Sequence, residues 1–451
     1  MHTQHAAAMS MLFMFAVSTQ AQCPPQRLTS PSDFAGDFGF RLAMSDRHLL
    51  VGDWRDHTLC GDGSCANGYA WAYEPDDDDG GWVFSQRIEP ADLGWSWGFG
   101  YAIALDGDRA LITRTLGLDC NMVFEFEFDG QRWVEVGPIC VPPLSGVDGS
   151  GVMLRGETAL VRTLDGVLVY QEDGEGWALT HTLFNPDAIG EASSFGKDFD
   201  YNNDWLVVGA PYERITVGFG GAAYVYRRLP DGELELAQKL VAPDILNGPQ
   251  FGSSVALDGD TLVVSGHISD RQFDEQGAVY VFRLVDGLWE LEQELTHSEP
   301  ARRDRFGAGL ALEGNTLLIG ASSDETPTSD GTVYLFRRGA DGLWRETAAL
   351  IPELQAWRFG FTPQLVGNLA AVGARDSPVG GVPTGSVDIF DLSCYLCLAD
   401  LDGDGRLTLF DFLTFLNLFQ DGDAQADFDG DGELTLFDFL AFQAAFDAGC
   451  Q

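Results

Sequence analysis

At 451 residues the chain is longer than one small hydrophobic core can organise, so at least two domains are expected. A hydrophobic content of 45% excludes a disordered protein, and 54 glycines against 19 prolines point to many tight turns in an all-β body. A formal charge of −43 excludes nucleic acid as a partner, and with only two lysines, Lys197 and Lys239, Schiff-base chemistry is not expected.

Ala6 to Val17 is an apolar stretch followed by Ser18-Thr19-Gln20-Ala21, whose small residues Thr19 and Ala21 suit signal-peptidase cleavage. Residues 1–21 are therefore expected to be a signal peptide and the remainder to be secreted, to the extracellular space or the cell surface. The segment carries His2 and His5 in place of Lys or Arg, and Gln22 before Cys23 argues against a lipoprotein site. No later run reaches the roughly 18 apolar residues of a membrane span, so no direct membrane insertion is expected.

From there a period near 50 residues governs the chain, as in the blades of a propeller. Its heart runs from Phe251-Gly252 to Val263-Val264, two alternating strands joined at Asp258-Gly259. Equivalent Phe-Gly pairs stand at Phe38, Phe99, Phe195, Phe306 and Phe359, with a degenerate Asp148-Gly149, which makes seven copies. A third strand such as Gly277 to Leu284 and a fourth such as Leu288 to Leu295 complete a four-stranded blade. The pattern predicts a seven-bladed β-propeller over residues 22–393.

These pieces resemble the FG-GAP repeats of the integrin α-subunit head over roughly residues 26–393. The resemblance implies a propeller used for adhesion or recognition, with a glycan or protein as its ligand. Some integrin-type blades carry a calcium loop between strands two and three, but Asp53 to Asp62, Asp270 to Glu275 and Asp324 to Asp330 read more easily as polar turns.

The last copy has no fourth strand of its own. Gln26-Arg27-Leu28 followed by Pro31 matches Gln86-Arg87-Ile88 and Gln238-Lys239-Leu240, which fall on fourth strands, so the N-terminal segment is expected to close blade seven and hide two sheet edges. Eight cysteines in an exported chain suggest disulfides. Cys120 and Cys140 fall opposite each other about Gly130, Cys23 and Cys394 fall near one corner of blade seven, Cys60 and Cys65 would close a small loop, and Cys397 and Cys450 bracket the tail. Buried thiols, or a redox Cys394-x-x-Cys397, are the alternatives.

From Ala399 onward aspartate interleaves with Leu and Phe, and two segments repeat 27 residues apart, as Asp400 and Asp427 show. The first offers Asp400, Asp402, Asp404, Arg406, Thr408 and Asp411; the second offers Asp427, Asp429, Asp431, Glu433, Thr435 and Asp438. Carboxylates at loop positions 1, 3, 5 and 12, a glycine at 6 and a carbonyl at 7 suit a hard cation with many oxygen ligands, so two Ca²⁺ sites are expected. An acidic disordered tail would not hold the apolar residues after each loop in register.

Residues 394–451 thus read as a small α-helical duplicated EF-hand domain, with helices starting near Phe410 and Phe437. Asp rather than Glu at position 12 and the lack of a helix before the first loop resemble the half-hands of a type I dockerin, and the Cys397 to Gly449-Cys450 frame resembles a GC-type dockerin tail. This implies a protein partner, cohesin-like or a cell-surface receptor. Leu409-Phe410 and Leu436-Phe437 stand where dockerins carry polar pairs, which argues against a cellulosome-type cohesin. The surplus of apolar residues on the helices should face a partner or the propeller.

No catalytic residue is expected. Asp106, Asp108, Asp258, Asp260 and Glu313 fall at hairpin turns, where acids are favoured for backbone reasons, and the seven histidines lack metal-ligand spacing. The leading reading is a secreted, non-catalytic, calcium-binding recognition propeller anchored or sorted by its tail. The alternative is a dockerin-borne polysaccharide hydrolase or lyase, for which acids would cluster at one channel mouth.

Overall fold

The computed structural model describes residues 24–448 apart from 33–35, 56–67, 77–79, 92–97, 116–120, 143–150, 165, 175, 188–193, 216–217, 244–248, 270–272, 274, 323–330, 340, 376, 380–381, 396–398, 402–406 and 429–433. The expected signal peptide, Asp148-Gly149, Cys23, Cys60, Cys65, Cys120, Cys397 and Cys450, the loop residues Asp402, Asp404, Arg406, Asp429, Asp431 and Glu433, and much of the three polar propeller loops lie outside the described residues.

The chain forms a seven-bladed β-propeller followed by two helices. Six blades take four strands each in chain order, over residues 42–88, 103–140, 152–184, 199–240, 255–295 and 306–350, the fourth with a separate short hairpin of Arg214–Ile215 and Gly218–Phe219 between its second and third strands. The seventh takes Pro363–Val366, Leu369–Ala374 and Ser386–Asp391, and its outer strand is Gln26–Thr29, with Gln26 opposite Ile389 and Thr29 opposite Ser386. The ring is thereby closed by hydrogen bonding between the two ends of the propeller.

Neighbouring blades meet through the Phe-Gly pairs. Phe38, Phe99, Phe195, Phe251, Phe306 and Phe359 are all buried, each filling the wedge beneath its blade. Gly252 has φ +89°, and a Cβ on it would collide with the carbonyl of Ala222 in the preceding blade. A Cβ on Gly209 would likewise collide with the carbonyl of Gly252. Backbone therefore lies directly on backbone at the interface, which only glycine permits.

Polar clasps recur at the same interfaces. On four outer strands a glutamine side chain imitates a peptide group and exchanges two hydrogen bonds with the backbone of a tryptophan on the next blade. Gln238 Nε2 donates to Trp289 O at 2.9 Å and its Oε1 accepts from Trp289 N at 2.9 Å. Gln26 clasps Trp82, Gln86 clasps Trp133 and Gln293 clasps Trp344 in the same way, at 2.7–2.9 Å. The turn acids do related work nearer the axis, where the carboxylates of Asp258 and Glu313 accept from Gly314 N and Gly367 N of the following blade at 2.6 and 2.7 Å.

The outer hairpin of blade two turns over residues 129–132, with Phe128 opposite Trp133, so its register brings Asn121, not Cys120, opposite Cys140. A turn centred on Gly130 would have given the other pairing; the four-residue loop moves it by one.

The two helices are α1, Leu409–Asp421, and α2, Leu436–Ala448. Thr408 caps α1, its Oγ1 accepting from Phe410 N at 3.1 Å, while Asp411 Oδ2 accepts from Thr408 N at 2.7 Å. Thr435 and Asp438 repeat the pattern at α2. Phe415 and Phe442 stack at 4.3 Å to form the small core with Ala399 and Ala426. Phe410, Leu413 and Leu416 on α1 and Phe437 and Leu440 on α2 remain exposed.

Deleting residues 22–32 removes the closing strand, the Gln26 clasp and the Arg27–Asp388 ion pair, whose two contacts are both 2.7 Å. The truncated protein is expected to associate through the uncovered edge of Ser386–Asp391. Light scattering and thermal melts check this; a monomer with an unchanged melting temperature would rule it out.

Candidate functional site

The residues that follow each Phe-Gly pair line the propeller axis. The second of them is Arg41, Ala102, Asp198, Ser254, Gly309 or Thr362, and Gly151 holds the corresponding place in blade three. Five of the seven are small, so the inner strands do not fill the axis. A cavity of about 200 Å³ remains, lined from every blade.

Asp198 is the one carboxylate lining this cavity among the described residues. It is committed to the fifth blade, with Oδ2 accepting from Ser254 Oγ at 2.8 Å and Val255 N at 2.9 Å, and Oδ1 accepting from Phe199 N at 3.1 Å. Burial pushes its carboxyl above the ordinary range, against the pull of those bonds and of Arg41.

Arg41 is held by rings, its guanidinium carbon lying 5.1 Å from the centroid of Phe40 and 5.7 Å from that of Phe361. Arg375 lies over the same two rings at 5.4 and 5.6 Å. Tyr101 stacks on Phe40 at 5.2 Å, and Trp54 meets Tyr101 edge-on at 5.1 Å. Burial lowers the Arg41 pKa, with Arg375 and Arg162 adding repulsion and Asp198 opposing. His267 is half-buried, and its desolvation, with the charges of Arg305 and Lys197, pushes its imidazole down to about 4.

A second cavity, about 430 Å³, opens between the third and fourth blades. His181 pairs with Val169 at the outer-strand bulge, the register position that Gln238 and Gln293 occupy in their own blades. Leu234, opposite Arg228, holds the register position that Trp289 and Trp344 hold opposite Leu284 and Arg338. Without a glutamine and a tryptophan to clasp, the blades part, and His181, Glu233, Asp231 and Arg228 line the gap. His181 Nε2 lies 3.5 Å from Glu233 Oε2.

In the tail, Asp411 and Asp438 are fully buried at the starts of the two helices. Asp438 Oδ1 also accepts from Phe428 N at 2.8 Å, beside Asp427 of the second loop. Asp400 and Asp427 precede the two loops' undescribed centres, and Thr408 and Thr435 follow them. These are oxygen-only donors, the chemistry a calcium loop requires. No described helix is long and apolar enough to cross a membrane.

Residues 235–282 and 289–336 match the family model of the FG-GAP repeat. Two stretches of the chain are thus FG-GAP repeats. Each begins on the outer strand of one blade and ends in the third strand of the next, so the repeat is offset from the blade by one strand. Solved structures similar to the chain include Kluyveromyces lactis Hsv2 with its complete loop 6CD, at 10% identity and a TM-score of 0.46, over 75% of this chain and 90% of that one. A proposed 6-phosphogluconolactonase of Bacteroides fragilis is similar at 13% identity and a TM-score of 0.48, over 72% and 86% of the two chains. No curated protein matches the sequence.

Neither Arg41 nor His181 stands out when the sequence is read without register. The signal for each is a departure from its own repeat: arginine where most copies place a small residue, and histidine where others place the clasping glutamine.

His267 gives a test of the electrostatics. The unfolded chain takes up a proton near pH 6.5 and the folded protein only near 4, so the associated stability is whole above pH 6.5 and is lost as pH falls toward 4. His267→Gln is expected to lose about 2–3 kcal/mol less than the parent between pH 7 and 4 in urea unfolding; equal losses would contradict this.

Proposed function

We propose that the chain is a secreted, non-catalytic recognition or adhesion propeller, held or sorted at its destination by a calcium-stabilised, dockerin-like tail. The observation that carries this reading is the axial cavity. Its lining carboxylate, Asp198, is engaged with backbone of the next blade, while Arg41, Lys197, Phe199 and Phe361 share the rest of the lining with small residues. Such a cavity is furnished for binding; the paired carboxylates of glycoside hydrolysis would need two acids on it. Incubating the protein with glycan and protein arrays, alongside hydrolysis and lyase assays on every bound species, is expected to give binding without turnover. Turnover of any bound species would overturn the reading.

A second reading, a polysaccharide-processing enzyme, is favoured by the gap between blades three and four, where Glu233, Asp231 and His181 share one cavity. Turnover abolished by Glu233→Gln would establish it.

For the tail, Asp400, Asp402, Asp404, Asp411 and the carbonyl of Arg406 would hold the first Ca²⁺, with Thr408 beside it. Asp427, Asp429, Asp431, Asp438 and the carbonyl of Glu433 would hold the second, with Thr435 beside it. Residues 398–451 carry a net charge of −11, and two Ca²⁺ ions would offset four of these charges. The exposed Phe410, Phe437, Leu413 and Leu440 would then meet a partner with an apolar surface, cohesin-like or a cell-surface receptor. Calorimetry of the full chain is expected to show about two calcium sites, one lost in Asp400→Ala and one in Asp427→Ala. Identical helical circular dichroism with and without chelator would refute calcium-dependent folding.

A further inference from the structure

Between the third and fourth blades the protein keeps one half of a clasp and lacks the other. At the next interface Gln238 takes up both the N–H and the C=O of Trp289, so these two backbone groups point out of their own strand ladder. Leu234 holds the same register position opposite Arg228, and its N–H and C=O therefore face the gap that it lines. His181, in the glutamine position, does not take them up. Its Nδ1 lies 3.0 Å from Thr180 Oγ1 and its Nε2 3.5 Å from Glu233 Oε2, and no hydrogen bond joins it to Leu234 among the described residues. The second and third blades also meet without a glutamine, at Gly137, but Trp177 is retained there and its Nε1 donates to Glu125 Oε2 at 2.8 Å. Between blades three and four both members of the clasp are replaced, and the cavity of about 430 Å³ opens.

The clasps elsewhere in the ring state which chemistry fits this edge. The N–H and C=O of one residue lie side by side, so a group that meets both needs an oxygen and an N–H on the same side of a C–N bond. A peptide or acetamido group carries them on opposite sides, because its amide is trans. A primary carboxamide has the required pair. A carboxylate in its place would set oxygen against the Leu234 carbonyl with no proton between them. The volume falls within the roughly 300–1,000 Å³ of small-molecule sites, enough for a side chain and the groups on its Cα. Leu160, Val169 and Leu206, which are buried between the two blades, suit the methylenes of that side chain. The lining also holds the exposed acids Asp231 and Glu233 and the half-buried Arg228, which donates to Gln171 at 3.1 Å and makes no ion pair among the described residues. Opposite charges on one lining suit the ammonium and carboxylate of an amino acid, and equally the donors and acceptors of a peptide backbone.

We propose that the gap between the third and fourth blades binds the side-chain carboxamide of glutamine, free or as a residue of a protein partner, with the backbone of Leu234 as the contact that selects it. This rests on the recognition reading of the propeller and gives it a ligand away from the axis.

The test is calorimetric titration of the full chain with L-glutamine, L-glutamate, glutamine methylated on its side-chain nitrogen, and N-acetyl-glutamine N-methylamide as the peptide form. Saturable binding of glutamine or its peptide form is expected, at least tenfold weaker for glutamate and for the methylated side chain, whose methyl group takes the place beside the oxygen. The bound form should also raise the melting temperature of the parent protein, a readout that needs no variant. Replacing His181→Gln and Leu234→Trp together restores an internal clasp, and is expected to raise the melting temperature and to weaken glutamine binding at least tenfold. Binding of the peptide form assigns a protein partner, and binding of the free amino acid alone assigns glutamine itself. Absence of binding by both forms, glutamate or the methylated side chain bound as tightly, or a folded double variant with unchanged affinity would overturn the proposal. Other ligands captured on the arrays, with neither glutamine form bound, would remove this inference and leave the recognition reading intact. Ammonia released from bound glutamine would overturn that reading and leave the site standing.

Discussion

At four of the interfaces in the ring, blade approaches blade with no side chain in between. The glycines of the second strand and of the Phe-Gly pair supply that approach, with Gly52 against Gly100, Gly209 against Gly252, Gly320 against Gly360 and Gly373 against Gly39. The last of these contacts joins blade seven to blade one, so the same geometry that builds the ring also completes it. The buried phenylalanines then fill the wedge opened by the splay of the strands, and the glutamine clasps fasten the periphery. A larger residue at any of these glycines would not weaken one contact alone. It would change the angle between two blades, and the error would have to be absorbed around the whole ring.

The charge of the molecule is distributed with the same logic. Several turn acids face the next blade and accept its backbone amides, as Asp106 does from Gly156 and Asp258 from Gly314. Positive charge is scarce, yet Arg41 and Arg375 are gathered against Phe40 and Phe361 near the axis. The acidity of the whole chain therefore says little about the potential inside its cavity, where a few desolvated groups outweigh many screened ones.

The propeller is legible in the sequence because its period is carried by residues with no substitute: glycine where backbones touch and phenylalanine where a wedge must be filled. The closing strand is legible for a related reason, since Gln26 is spaced from its neighbours as the other clasping glutamines are, and it lies on Trp82 as they lie on theirs. The register of Cys140 was beyond reach, because a four-residue turn and a three-residue turn look alike until the strands are paired. The axial cavity was hidden too. A cavity is made by what its residues lack, and Ala102, Ser254 and Gly309 carry no signal until they are seen to share one axis. The starts of the two helices near Phe410 and Phe437 were readable from Thr408 and Thr435, whose capping depends only on local spacing.

The offset of the repeat from the blade has a consequence in time. Arg27 meets Asp388 across 361 residues of chain, so the first strand made is the first to need a partner and the last to receive one. At the usual 5–20 residues per second of synthesis, it waits roughly 20–70 s before that partner exists. Throughout that interval the six internal blades can form in order, each on the edge of the one before, while the growing arc stays open at both ends. Its stability as a closed body arrives in a single late event, and a chain cut short anywhere before the seventh blade is left with two unsatisfied edges rather than with a slightly smaller propeller.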